Sequence, residues 1–152
     1  MTVLGIRNYS DGFRYCILQK DANGVVCKNL NSENRILIPK GYDDNQLLIW
    51  YQDEIERILD TNNNIVKVAI KHNENMRSDC YASLKKVMFM DCIITLIATR
   101  KNIHVNSYVY NQIHVNSKNV LDRAEILVGK SQKYWDSKIA DAIMAANKEF
   151  EI

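Results

Sequence analysis

Apolar and polar positions along the chain first follow a period of two. Residues 2–8 (TVLGIRN) form a short apolar run closed by polar residues, and residues 13–19 (FRYCILQ) form a second, aromatic and β-branched run. Between them Tyr9, Ser10, Asp11 and Gly12 have the chemistry of a turn. After a loop around Asn23 and Gly24, residues 35–39 (RILIP) predict a third strand ended by Pro39. Three strands joined by short connections predict an antiparallel meander.

The period then changes to three and four. Asp43 and Asp44 offer a cap to a helix over residues 43–60, in which Leu47, Leu48, Trp50, Tyr51, Ile55 and Ile58 recur at helical steps. Asn62, Asn63 and Asn64 stop that helix, and Ile65–Lys71 (IVKVAIK) follows as a fourth strand. A second helix is expected from near Asp79 to about residue 99, through Leu84, Val87, Met88, Cys92, Ile94 and Ile97. Its later turns are apolar nearly all round, which predicts burial on more than one side, by a central position or by a partner chain. Residues 103–110 (IHVNSYVY) read as a fifth strand, and residues 119–128 and 135–150 as helices separated by a break near Gly129. The order βββαβαβα predicts an α/β fold: a five-stranded mixed sheet, three antiparallel strands then two parallel, flanked by helices.

Composition narrows the class. A length of 152 residues predicts one domain, 1–152, with a core large enough to fold without disulfides. A hydrophobic share of 47% with five Gly and one Pro excludes disordered and collagen-like chains. The net charge of +2 does not announce a coat for nucleic acid, so any charged surface must be local. The apolar stretch over residues 93–98 is far shorter than the ~20 residues of a membrane span, and no signal-like start precedes the first strand. A cytoplasmic protein without membrane contact is expected. Cys16, Cys27, Cys80 and Cys92 form no CxxC pair and read as reduced core thiols. The signatures GxxxxGK[ST], GxGxxG and GxSxG do not occur, which leaves phosphate-loop, dinucleotide and serine-hydrolase chemistry without support.

The element order is that of the ribonuclease H-like fold, and within it the sequence resembles the RuvC-type Holliday junction resolvases. The opening VLGIR of residues 3–7 resembles the family's first strand, and VAIK of residues 68–71 its fourth. ASLKK, residues 82–86, is similar to the long helix that follows. The fifth strand with residues 111–119 behind it resembles the strand and basic turn before the last helices, and IADAIMAA, residues 139–146, the last helix. The resemblance covers nearly the whole chain. It implies four carboxylates converging on two Mg²⁺ ions, because hard divalent cations take oxygen ligands and jointly stabilise the attacking and leaving oxygens at phosphorus.

At those positions the sequence departs from the family. Arg7 stands where the resemblance implies the first-strand Asp, Lys71 where it implies the fourth-strand Glu, and Lys138 at the first Asp of the last helix; Asp141 alone is retained. Three cations with one carboxylate should repel Mg²⁺. Either they hold a phosphate backbone without cutting it, or the site has drifted and the four residues form surface salt bridges. Glu74, Asp79, Asp11 and Asp136 are the substitute carboxylates of an active nuclease with rearranged ligands, the case in which Mg²⁺ or Mn²⁺ is expected as cofactor. Their spacing argues against that: Asp136 and Asp141 project about 140° apart on a helix, and Asp11 and Asp79 read as a turn residue and a cap.

Charge is segregated along the chain. The first helix carries Asp43, Asp44, Asp53, Glu54, Glu56 and Asp60 against Arg57, whereas residues 67–101 carry seven cations against Glu74, Asp79 and Asp91. A duplex or branched DNA would favour the face bearing Arg7, Lys71, Arg77, Lys85, Lys86 and Lys138. Tyr108 and Tyr110 alternate and are expected on one face of the fifth strand. His72 lies beside Lys71 with no carboxylate at dyad spacing. The expectation is a RuvC-like, catalytically degenerate, resolvase-derived protein that binds nucleic acid through its cationic former active site; the alternatives are an interaction or structural module that forms a homodimer through its second helix, and an active metal-dependent DNA junction endonuclease with rearranged ligands.

Overall fold

Alternation along the first two runs builds the centre of the sheet. In the computed structural model, which describes residues 1–74 and 81–151, the runs form β1 (Thr2–Tyr9) and β2 (Gly12–Asp21), paired antiparallel from Thr2 opposite Gln19 to Tyr9 opposite Gly12. On β1, Leu4 and Ile6 enter one core, and Val3 enters another on the opposite side of the sheet. That period of two sends Asn8 to the first side and Gly5 and Arg7 to the second.

The described residues form a six-stranded sheet in the order β3-β2-β1-β5-β6, with β4 also paired to β2. β3 (Gly24–Cys27) is a strand that the sequence pattern missed, because Val25 and Val26 sit inside the loop signal of Asn23 and Gly24. That loop signal is itself the hairpin turn, tied by the Asn23 N–H to Asp21 Oδ1 at 2.8 Å. β4 (Arg35–Leu37) is shorter than expected and pairs with the start of β2, opposite Gly12 to Arg14. β5 (Ile65–Lys71) and β6 (His104–Tyr108) add in parallel beside β1. The strand expected over residues 103–110 thus ends at Tyr108, and Tyr110 opens a 3₁₀ turn, Tyr110–Ile113, so the two tyrosines do not share a strand face.

Helices cover both faces. α1 (Asp44–Thr61) begins with a capping box: Asp43 Oδ1 accepts the Gln46 N–H at 2.8 Å, and Gln46 Oε1 accepts the Asp43 N–H at 2.9 Å. α1 and α2 (Tyr81–Arg100) pack on the Leu4 and Ile6 side. α3 (Val120–Val128) and α4 (Ser137–Lys148) pack on the Val3 side. α4 starts two residues later than its apolar pattern suggested, because Asp136 leaves the helix to cap it, accepting the Lys138 and Ile139 N–H groups. Arg77, Asp79 and Cys80 lie outside the described residues. Cys16 and Cys27 are buried free thiols, as expected, while Cys92 is exposed on α2. Among the described residues no helix is long and apolar enough to cross a membrane.

Candidate nucleic-acid interface

Parallel pairing of β1 with β5, with Gly5 opposite Ala69 and Ile6 opposite Ile70, brings Arg7 and Lys71 side by side at the strand ends. α4 crosses that side of the sheet and delivers Asp141. Arg7 Nε donates to Asp141 Oδ2 at 3.0 Å, and the Tyr110 hydroxyl donates to Asp141 Oδ1 at 2.7 Å. Lys71 Nζ donates to Glu74 Oε2 at 2.6 Å and to the His72 carbonyl at 2.6 Å, and lies 3.8 Å from the centre of the Tyr110 ring. Glu74 Oε2 also accepts the Tyr110 N–H at 2.9 Å.

Three of its members are interior and not at the surface, while Glu74 closes the cluster from the solvent side. Lys71 is 2% exposed, Asp141 3% and Arg7 9%. Burial lowers the Lys71 pKa, against the upward pull of its bond to Glu74 and of the Asp141 charge. Burial tends to raise the Glu74 carboxyl, but the Lys71 and Tyr110 hydrogen bonds dominate and its pKa lies below the ordinary value. Burial and the bond to Asp141 push the Tyr110 hydroxyl up. Two cations therefore face two carboxylates. The excess of positive charge expected from Arg7, Lys71, Lys138 and Asp141 is cancelled, because Glu74 folds back over Lys71 and Lys138 lies elsewhere, 4.9 Å from the centre of the Tyr9 ring.

The donor set does not fit a two-metal site. Both Asp141 oxygens accept hydrogen bonds from protein donors, and a guanidinium and an ammonium stand where further oxygen ligands would be needed. Among the described residues no group of three or more His, Cys, Asp or Glu side chains is placed to hold a metal ion. Of the substitute carboxylates, Asp136 caps α4 and pairs with the buried Arg14 at 2.7 Å, and Asp11 is exposed beside the β1–β2 turn. Of the other cations expected to meet DNA, Lys85 pairs with Asp44 at 2.7 Å on the surface, and Lys86 is half-buried beside it.

The other side of the same strand ends holds a cluster that spacing along the sequence did not reveal. Asn8 Nδ2 donates to Asp91 Oδ1 at 2.7 Å, the Tyr51 hydroxyl donates to Asn8 Oδ1 at 2.8 Å, and His72 Nδ1 lies 3.6 Å from Asp91 Oδ2. Burial holds the Asp91 carboxyl above its ordinary pKa despite the Asn8 bond and the His72 attraction. A raised folded pKa means that the folded state binds more protons, so stability falls as pH rises above the unfolded carboxylate value of about 4. Asp91→Asn keeps an acceptor for Asn8 and removes the buried charge. It should melt higher than the wild type at about pH 8, with the gap closing toward about pH 4, in a fluorimetric melting series. A wild type that melts higher at about pH 8 would show that the His72 attraction outweighs burial.

The sequence matches no protein-family model and no curated protein. Solved structures do match. Thermus thermophilus RuvC in complex with a Holliday junction substrate is 14% identical over 97% of this chain and 92% of that one, with a TM-score of 0.76. The yeast mitochondrial Holliday junction resolvase is 15% identical over 96% of this chain and 76% of that one, with a TM-score of 0.67. The Fowlpox virus resolvase, solved with Holliday junction DNA, is 12% identical over 99% and 97%, with a TM-score of 0.57. The chain thus resembles the RuvC-type resolvases in fold, a ribonuclease H-like mixed sheet flanked by helices.

Proposed function

We propose that this protein binds duplex or branched DNA without cutting it, as a resolvase-like protein whose metal-binding positions have become an internal salt-bridge lock. The observation that carries this reading is the buried Arg7–Asp141 pair, joined through Tyr110 to Lys71 and Glu74. A phosphoryl-transfer site must present free carboxylate oxygens to metal ions, and these are bonded to cations and a phenol. The likeness to resolvases solved with Holliday junctions supports nucleic acid as the partner.

Phosphate contacts fall on cations nearer solvent than Arg7 and Lys71. Lys138, at the start of α4 beside Tyr9, is one; Lys85 and Lys86 on α2 are others. The Lys85–Asp44 pair lies at the surface, where ion pairs contribute about 0–1 kcal/mol, so a phosphate can compete for Lys85. The test is a gel shift on a four-way junction and a duplex, run in EDTA and again with Mg²⁺ and Mn²⁺. Retardation in both buffers with intact strands is expected, and Lys138→Gln should lower the slope of log affinity against log salt by about 1. Cleavage in metal would overturn the reading.

A second reading, association of two copies through α2, is favoured by its outer face, where Tyr81, Met88, Cys92 and Leu96 are exposed. Absence of retardation even at low salt would move the weight to it.

A further inference from the structure

Of the 19 Lys and Arg side chains among the described residues, eight sit in ion pairs: Arg7, Arg14, Arg57, Lys67, Lys71, Lys85, Lys101 and Lys148. Three of the other eleven converge on one recess of about 470 Å³ beside the β1–β2 turn: Arg35, Lys40 and Lys86. They come from β4, from the turn after it, and from α2, so the fold rather than a local run of basic residues gathers them. Ser10, Tyr42 and one carboxylate, Asp11, complete the lining that matters here, leaving an excess of positive charge.

Two local features hold this arrangement. The Arg35 guanidinium lies over the Tyr134 ring, 4.1 Å from its centre, a contact that restrains the side chain. Gly41 has a φ of +82° and open space where a Cβ would be, so glycine is needed for the backbone path that brings Lys40 and Tyr42 to the same recess. On α2, Lys85 is paired with Asp44 while its neighbour Lys86 lacks an ion-pair partner among the described residues and lines the recess.

We infer that this recess is an oxyanion site for a phosphate group, and that on DNA it takes a backbone phosphate away from the Arg7–Asp141 lock. Planar guanidinium and flexible ammonium donors around a hydroxyl-bearing pocket suit a tetrahedral anion with several acceptor oxygens. The assignment to DNA rests on the proposed function; the anion site itself does not.

The experiment therefore has two arms. In the first, tripolyphosphate is titrated into the ¹⁵N-labelled protein: amide shifts should centre on Ser10, Arg35, Gly41 and Lys86, and the Lys40→Gln, Lys86→Gln double variant should weaken binding about tenfold per cation. Shifts spread over the surface, or unchanged binding by a variant with a wild-type melting curve, would overturn the site. In the second, the same variant is tested by gel shift on duplex DNA against wild type. Weakened retardation with a shallower salt dependence supports a backbone phosphate as occupant. Unchanged retardation with lost tripolyphosphate binding overturns the DNA assignment and identifies a free phosphorylated molecule instead. A wild type that takes tripolyphosphate at the recess but shifts no DNA sinks the proposed function and the DNA assignment, and upholds the anion site.

Discussion

Asp141→Ala should destabilise the protein by about 3–5 kcal/mol, the cost of removing one partner from a buried ion pair. The reason lies in what remains. The Arg7 guanidinium is almost fully buried and, among the described residues, keeps only the Asn8 carbonyl as a bonded acceptor. Tyr110 would lose the acceptor of its hydroxyl at the same time. Asp141→Asn, which keeps an acceptor but not the charge, should fall between Ala and wild type. The decisive comparison is the Arg7→Leu, Asp141→Leu double variant. A buried pair costs desolvation that its attraction repays only in part, so replacing both partners with apolar side chains should recover most of the lost stability. Urea unfolding of the wild type, Arg7→Leu, Asp141→Leu and the double variant closes a double-mutant cycle that measures this directly. A single variant that loses less than about 1 kcal/mol would mean that water or another carboxylate reaches Arg7, and that the lock is not closed.

The cycle also bears on what sequence patterning can show. The period-two and period-three-to-four patterns placed most elements, because each strand and helix around this sheet buries an apolar face. β3 escaped because four residues at a sheet edge bury too little to leave a pattern, and its hairpin turn supplies the residues that mark a loop. Of the site, the resemblance to RuvC-type resolvases placed Arg7, Lys71, Lys138 and Asp141 together; parallel strand pairing and the crossing α4 bring Arg7, Lys71 and Asp141 to one place, while Lys138 lies beside Tyr9. The charge balance was not legible. Glu74 lies past the end of β5 and reaches Lys71 only because the chain folds back toward Tyr110. Asp91 stands nineteen positions from His72, on the inward side of a helix whose apolar surroundings conceal one carboxylate. The recess of Arg35, Lys40 and Lys86 is assembled from separate segments, so no window of sequence contains it.

A loss of comparable size is expected from the smallest side chain that can be added: Gly5→Ala. A Cβ at Gly5 would stand 2.2 Å from the Ala142 carbonyl oxygen, 2.7 Å from Cys16 Sγ and 2.8 Å from Ala146 Cβ. A side-chain thiol such as Cys16 Sγ can yield by rotation, but the carbonyl belongs to the backbone of α4, so the helix itself must move. Overpacking a core costs about 1–3 kcal/mol, and a clash with backbone belongs at or beyond the top of that range. For a chain of this length each kcal/mol lowers Tm by about 2–4 °C, so a fall of about 10 °C or more is expected by calorimetry. The position matters for the site because Ala142 follows Asp141 on α4. A helix pushed away from β1 carries Asp141 away from Arg7, and the steric cost and the cost of a loosened ion pair then add. Gly5→Ala in the Arg7→Leu, Asp141→Leu background separates the two, since only the steric part survives there. An equal loss in both backgrounds would show that α4 yields locally and that the lock moves with it; a smaller loss in the apolar background is the expected result.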